Sequence, residues 1–324
     1  MKTRTLGKTG YQVSEIGLGC WQLGGDFGPL GEDSAKAILD GAMAAGINFW
    51  DTADVYGGGL SEKRISRYAR TPGLKVATKV GRSSALFPGH YTREGVRASL
   101  EHSAERLGVG RLDLAQLHCV PKAVLEDGAI FEWMDDFQRE GLICFWGASV
   151  ETIEEAQICL KQDGLATLQI IFNLLRQDAA KNLLPQAEAR DVGVIVRLPL
   201  ASGLLSGKYD KQTRFDPSDH RNYNRDGQAF SVGETFAGIP FERGVELVGE
   251  LRGLAPESMP MSQFALRWIL DHPEISTVIA GVSKPEQLGD NVAASEQNSL
   301  FPALMGQLGE WYEERVKPEI RGEV

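Results

Sequence analysis

The stretch LKVATKVGRSSALFPGHYTREGVRASLEHSAERLGVGRLDLAQLH, residues 74–118, decides the fold. Residues 74–80 form a short apolar run rich in valine, and residues 92–107 carry apolar side chains at recurring helical spacing. Residues 112–118 return to a short apolar run. A strand, an amphipathic helix and a second strand in that order make a βα unit, and repeated βα units build a parallel sheet.

The same alternation runs through nearly the whole chain. Further strands are expected at residues 14–20, 48–51, 144–148, 167–172, 193–198 and 276–280, which with the first two makes eight. Helical spacing recurs at 34–45, 152–160 and 261–271. Eight units joined mostly by loops of a few residues favour a closed barrel over an open doubly wound sheet. The expected fold is therefore α/β, a (β/α)8 TIM barrel, with residues 1–324 as a single domain. One connection is long: residues 209–240, after the seventh strand, are rich in Asp, Arg, Asn and Gly, and a long loop inside a folded domain is usually functional. Residues 300–324 read as a closing helix that frays at its end.

Bulk composition narrows the partners. An apolar content of 42% is enough for a large core, and the formal charge of -10 with a pI near 5.2 argues against nucleic acid or an anionic membrane surface as partner. A small neutral molecule is the expected ligand. Cys20, Cys119, Cys144 and Cys159 are scattered without a CxxC pair and form no ligand-spaced cluster with histidine, so no metal is expected. The N-terminus lacks a continuous apolar stretch, and no run of apolar residues is long enough to span a bilayer, which points to a soluble cytoplasmic protein. Nothing in the sequence sets an oligomeric state.

Two nucleotide motifs fail on inspection. GLGCWQ, from Gly17, has Gln22 where a GxGxxG fingerprint needs its third glycine. SGLLSGKY, from Ser202, is one residue short between its glycines and has Tyr209 after Lys208, so it is not a Walker loop.

Catalytic groups of such barrels gather at the C-terminal ends of strands. Asp51 ends the second strand, Tyr56 follows in its loop, Lys79 lies near the end of the third and His118 ends the fourth. Singly, each has an ordinary structural reading: a turn cap, a loop aromatic, a snorkelling lysine, a hydrogen-bonded core histidine. Together they set a carboxylate, a phenol, an ammonium and an imidazole on one rim. Lys79 is expected to lower the pKa of Tyr56 from its reference of about 10, with Asp51 holding Lys79 charged. His118 would then hold a carbonyl oxygen while Tyr56 gives its proton to the developing alkoxide. No side chain supplies hydride, so this chemistry calls for a nicotinamide.

The sequence resembles the aldo-keto reductases, including their potassium-channel β-subunit-like and sugar or aldehyde reductase branches. The opening RTLGKTGYQVSEIGLGCWQLGG resembles the family's N-terminal β-hairpin and first strand, AGINFWDTADVYGGGLSE its signature, and KVATKVG and LDLAQLH its lysine and histidine blocks. The resemblance implies a barrel with an N-terminal hairpin and a C-terminal helix, and a catalytic tetrad of Asp51, Tyr56, Lys79 and His118. It places Gly19, Cys20, Trp21 and Asp51 beside the cofactor. In WGASV and LQIIFN it sets Ser149 on the nicotinamide carboxamide with Gln169 next to it, while the asparagine common after that serine is Val150. In VIVRLPLASGLLSGK it assigns Leu198, Leu200, Ser202, Gly203, Leu205 and Lys208 to the pyrophosphate loop, and puts Arg197 where a ring-stacking tyrosine is usual. A cation there disfavours the positively charged oxidised ring, so tighter binding of the reduced cofactor is expected.

In IAGVSKPEQLGDN the resemblance gives Gly281, Ser283, Lys284, Gln287 and Asn291 to the adenosine end, at a helix N-terminus suited to an anion. The arginine often found at Gln287 is absent, leaving Lys284 to meet a 2'-phosphate, so the implied cofactor is NADP, with NADPH favoured and NAD the alternative. Substrate would meet Trp21, Tyr56, His118 and Cys119, the last standing where bulkier aromatics are common and so leaving room near the carbonyl. Trp50 and Trp146 read as barrel packing. The expected function is NADPH-dependent reduction of an aldehyde or ketone, perceived against two alternatives: an NAD(P)-dependent sugar or alcohol dehydrogenase, and a nicotinamide-binding regulatory subunit with little turnover.

Overall fold

A short antiparallel hairpin, β1 (Thr3–Thr5) and β2 (Gln12–Ser14), comes first. It is followed by β3 (Ile16–Gly19), β4 (Phe49–Asp51), β5 (Lys75–Val80), β6 (Leu112–His118), β7 (Ile143–Ser149), β8 (Leu165–Ile171), β9 (Gly193–Arg197) and β10 (Ile275–Gly281). In this computed structural model, which describes residues 1–323, β3 to β10 are parallel neighbours in chain order and β10 pairs back onto β3, closing the barrel. Each expected strand is present, with no end displaced by more than two residues. At the first, Ser14 ends the hairpin and the barrel strand starts at Ile16.

The helices begin and end where local chemistry directs. Thr92 caps the helix Arg93–Leu107 by accepting from the Gly95 amide, and Gly108, at φ 67°, ends it in the left-handed conformation. Thr152 and Glu155 form a reciprocal capping box on Ile153–Leu160. Residues 209–240 are not a bare loop: they hold a helical turn, His220–Tyr223, and 3-10 turns at Val232–Glu234 and Phe236–Gly238. The closing helix spans Pro302–Trp311 and continues as a π turn and a 3-10 turn to Glu319. The expected fraying at residue 324 lies outside the described residues.

Side chains alternate between the two faces of a strand, and this places the site. Phe49, Ala77, Leu114, Ile195 and Ile279 share an apolar cluster with Leu6 and Val13 of the hairpin segment, which closes the N-terminal end of the barrel. Two residues further along β4, β5, β6 and β9, the same face carries Asp51, Lys79, Gln116 and Arg197. The barrel interior is thus apolar at its base and polar toward the C-terminal rim. The opposite strand faces pack on the helices: Trp50 and Trp146 are fully buried there, donating to Ile47 O and Asp135 Oδ1, and are packing residues as expected. Among the described residues, no helix is long and apolar enough to cross a membrane.

Candidate active site

Lys79 is the centre of the polar layer. Its ammonium is ion-paired with Asp51 Oδ2, donates to Thr52 O at 2.8 Å and lies 3.2 Å from the Tyr56 hydroxyl. The other oxygen of Asp51 accepts from Gln116 Nε2 at 3.1 Å and Gln169 Nε2 at 2.8 Å. Lys79 and Asp51 are only 1% and 2% exposed, so the pair depends on these extra hydrogen bonds to offset its desolvation.

Tyr56 is held by its glycines. Gly57 has φ 58°, and a Cβ there would lie 2.4 Å from Gly24 O; a Cβ on Gly24 would lie 2.6 Å from Gly57 N. Only a glycine pair lets these two turns touch backbone to backbone. The contact brings the Trp21 ring nearly parallel to that of Tyr56, with centroids 5.9 Å apart, while the His118 ring stands edge-on to Tyr56, also at 5.9 Å. The four expected catalytic residues are therefore assembled on one rim.

Their electrostatics differ from expectation at one point. Lys79 does pull the Tyr56 pKa down, but burial outweighs it and Asp51 opposes it, so the phenol is pushed up to about 12. The expected net lowering is corrected: Tyr56 is a firmly protonated phenol at neutral pH. Lys79 has its pKa raised, because Asp51 and Tyr56 overcome the effect of burial, and it stays an ammonium. Burial, with help from Arg82, Lys79 and Arg197, holds His118 well below the usual histidine range, so its ring is neutral.

These groups open onto a cleft of 760 Å³. Gly19, Cys20, Trp21, Cys119, Ser149, Gln169, Arg197, Leu198, Leu200, Ser202, Gly203, Lys208, Gly281, Ser283 and Gln287 line it. Leu205, Lys284 and Asn291 do not line it: Leu205 and Asn291 are buried and Lys284 faces outward. The Gln287 side-chain oxygen accepts from the Ser283 and Lys284 amides, capping the helix start expected to meet an anion. Ser202 is turned away from the expected phosphate role, its hydroxyl donating to Glu234 O and lying 3.3 Å from His220 Nε2.

Sequence reasoning missed a charged cluster. Glu234, from the long 209–240 connection, pairs with Arg82 at 3.2 Å and with Arg197 at 3.4 Å, while Arg82 also pairs with Glu151 at 2.7 Å. Cys119 Sγ and one oxygen each of Glu151 and Glu234 lie within 4.8 Å of one another, but the carboxylates are already engaged by guanidinium groups. Burial and the Glu234 charge push Glu151 up to about 7; Glu234, despite its burial, is drawn down to about 2 by Arg82 and Arg197. Arg82 had a usable signal, since it stands three residues beyond Lys79 at a strand end. Glu234 had none. Also missed was an aromatic wall in which Trp21 meets Phe27 and His220, with ring centroids at 5.1 and 4.7 Å, and Asp26 accepts from Trp21 Nε1 at 3.0 Å.

Comparison with known proteins agrees with this architecture. The Aldo/keto reductase family pattern matches residues 15–310. Aldo-keto reductase YhdN of Bacillus subtilis is 30% identical over 299 residues, covering 89% of this chain and 87% of that protein. L-galactose dehydrogenase of Arabidopsis thaliana is 30% identical over 318 residues, covering 93% and 90%. Among solved structures, the holo form of aldo-keto reductase AKR11C1 from Bacillus halodurans superposes with a TM-score of 0.77 at 25% identity, covering 99% of this chain and 98% of its own. With the fold, the rim residues and the relatives in agreement, the chain belongs to the aldo/keto reductase family of oxidoreductases.

Proposed function

We propose that the protein reduces an aldehyde or ketone to an alcohol with NADPH as the favoured reductant and Tyr56 as the proton donor. The observation that carries this reading is the line Tyr56–Lys79–Asp51 at the floor of the cleft, with neutral His118 beside it.

The cleft suits a nicotinamide dinucleotide. Ser149 donates its hydroxyl proton to Gln169 Oε1 at 3.2 Å, which leaves its oxygen free to accept from a carboxamide. Val150 offers no second side-chain amide; its main-chain oxygen accepts from Arg197 Nη2 at 3.0 Å, which fixes the guanidinium beside the Ser149 turn. Further out, Leu198, Ala201, Ser202 and Gly203 have positive φ, turning main-chain groups along the cleft, and Lys208 is exposed beside them for a phosphate. When bound, the reduced nicotinamide supplies the hydride.

The chain's own residues then handle the oxygen. His118, neutral, holds the carbonyl oxygen through a ring N–H without protonating it. Tyr56 gives its hydroxyl proton to the oxygen as negative charge develops there. The phenolate left behind faces the Lys79 ammonium at 3.2 Å, and Asp51, itself held by Gln116 and Gln169, keeps that ammonium charged and aimed. Lys79 therefore acts where it matters for rate, on the charge that appears as the proton leaves, rather than by acidifying the resting phenol.

The same residues serve the reverse reaction, and the similarity to L-galactose dehydrogenase favours oxidation of a hydroxyl compound as the second reading. The complete rim tetrad favours turnover over a purely cofactor-sensing role. Tyr56→Phe tests the assignment: NADPH binding, followed by fluorescence quenching, is retained while carbonyl reduction is lost. Wild-type turnover in that variant overturns the reading.

A further inference from the structure

Asp26 stands at the reaction end of the cleft, yet nothing in the tetrad or the cofactor contacts uses it. One oxygen, Oδ2, accepts from Trp21 Nε1 at 3.0 Å; Oδ1 has no side-chain donor among the described residues. A Cβ on Gly24 would lie 3.2 Å from Asp26 Oδ2 and 2.7 Å from the Tyr56 carbonyl carbon, so only the width of that glycine separates the carboxylate from the Tyr56 turn. Trp21 touches both, its Nε1 donating to Asp26 and its ring nearly parallel to that of Tyr56. A part-buried carboxylate beside an indole plane gains strongly from hydroxyl donors, and its pKa, raised chiefly by burial, reports how much water it has already lost.

The facing wall argues against an anionic substrate. Arg82 is paired with Glu151 and Glu234, and Arg197 with Glu234, so these carboxylates offset the charge that would draw a substrate carboxylate or phosphate. An uncharged chain bearing hydroxyl groups suits the cleft that these groups line together, with an acceptor at Asp26 and polar edges on the paired Arg82, Arg197, Glu151 and Glu234.

Resting on the oxidoreductase reading above, we propose that Asp26 is a specificity-determining residue whose carboxylate accepts hydroxyl groups of an uncharged polyhydroxylated carbonyl substrate, with Trp21 as the plane against which the carbon chain lies. The substrate class is a hydroxy-aldehyde, hydroxy-ketone or sugar, not a keto acid or phosphate ester.

The test compares wild type with Asp26→Asn, whose amide oxygen still accepts from Trp21, on two aldehydes of equal chain length: glyceraldehyde, which has hydroxyls, and propanal, which has none. Asp26→Asn should lower kcat/KM for glyceraldehyde by about tenfold to a hundredfold, the range for a hydrogen bond to a charged group, and leave propanal within about twofold. Equal loss on both aldehydes makes Asp26 a structural support for Trp21 and overturns the proposal. Asp26→Ser serves as a second variant if the first folds poorly. The affinity of the cofactor-free protein for sorbitol, followed by ligand-detected NMR, is measured alongside. If wild type reduces neither aldehyde, the oxidoreductase reading fails, and the sorbitol titration still judges Asp26: weaker binding to Asp26→Asn supports its role, and unchanged binding refutes it.

Discussion

Lys79→Met is the perturbation that probes the proposed chemistry most directly. The lysine ammonium lies 3.2 Å from the Tyr56 hydroxyl, and at that separation, with an effective dielectric constant of about 20, an ammonium and a phenolate attract by roughly 5 kcal/mol. This is a ceiling, because Asp51 is ion-paired to the same ammonium and cancels part of its field. Between half and all of that attraction corresponds to a loss in kcat of about a hundredfold to about ten-thousandfold. A second effect accompanies it: Asp51, 2% exposed, is left buried without its counter-ion, which destabilises the fold by about 3–5 kcal/mol. The two effects separate in the double variant Asp51→Asn/Lys79→Met. An asparagine oxygen still accepts from Gln116 and Gln169, so stability returns and part of kcat is recovered, since the repulsion between Asp51 and the phenolate is gone. The assay is steady-state carbonyl reduction with thermal unfolding and NADPH affinity measured in parallel; affinity should stay within about threefold of wild type. A single variant with kcat within tenfold of wild type would refute the role given to Lys79.

Gly24→Ala should displace the Tyr56 turn, because the new Cβ would stand 2.6 Å from Gly57 N; kcat falls by about tenfold or more with little change in NADPH affinity, and an unchanged kcat would show that the turn has slack. The pH dependence of cofactor choice follows from the cluster beside Arg197. Below about pH 7 Glu151 is protonated, so Arg82 and Arg197 face one ionised partner, Glu234, and the cluster carries a net positive charge; above that pH Glu151 ionises and the charge is cancelled. Preference for NADPH over the oxidised form should therefore be larger near about pH 6 than near about pH 8.5, and a ratio of dissociation constants that is flat or rises with pH would contradict this.

Much of the catalytic rim was legible because strand periodicity and strand ends are written locally. Asp51, Lys79 and His118 stood out without any long-range information because each is a polar residue at or near the end of an apolar strand run. Arg82 was legible in principle by the same strand-end logic. Asp26 and Glu234 were not: Asp26 becomes part of the site only when its turn packs against that of Tyr56, and Glu234 is 152 positions from Arg82 in the chain.

The order of strands and helices, the closed barrel and the identity of the four rim residues follow from short-range patterning, since apolar period and residue type repeat within a few positions. The charge balance of the cleft, the neutral state of His118 and the upward shift of the Tyr56 pKa come from the assembled protein alone. They depend on how much water each group loses and on which charges arrive from distant segments, and neither quantity exists until the chain has folded.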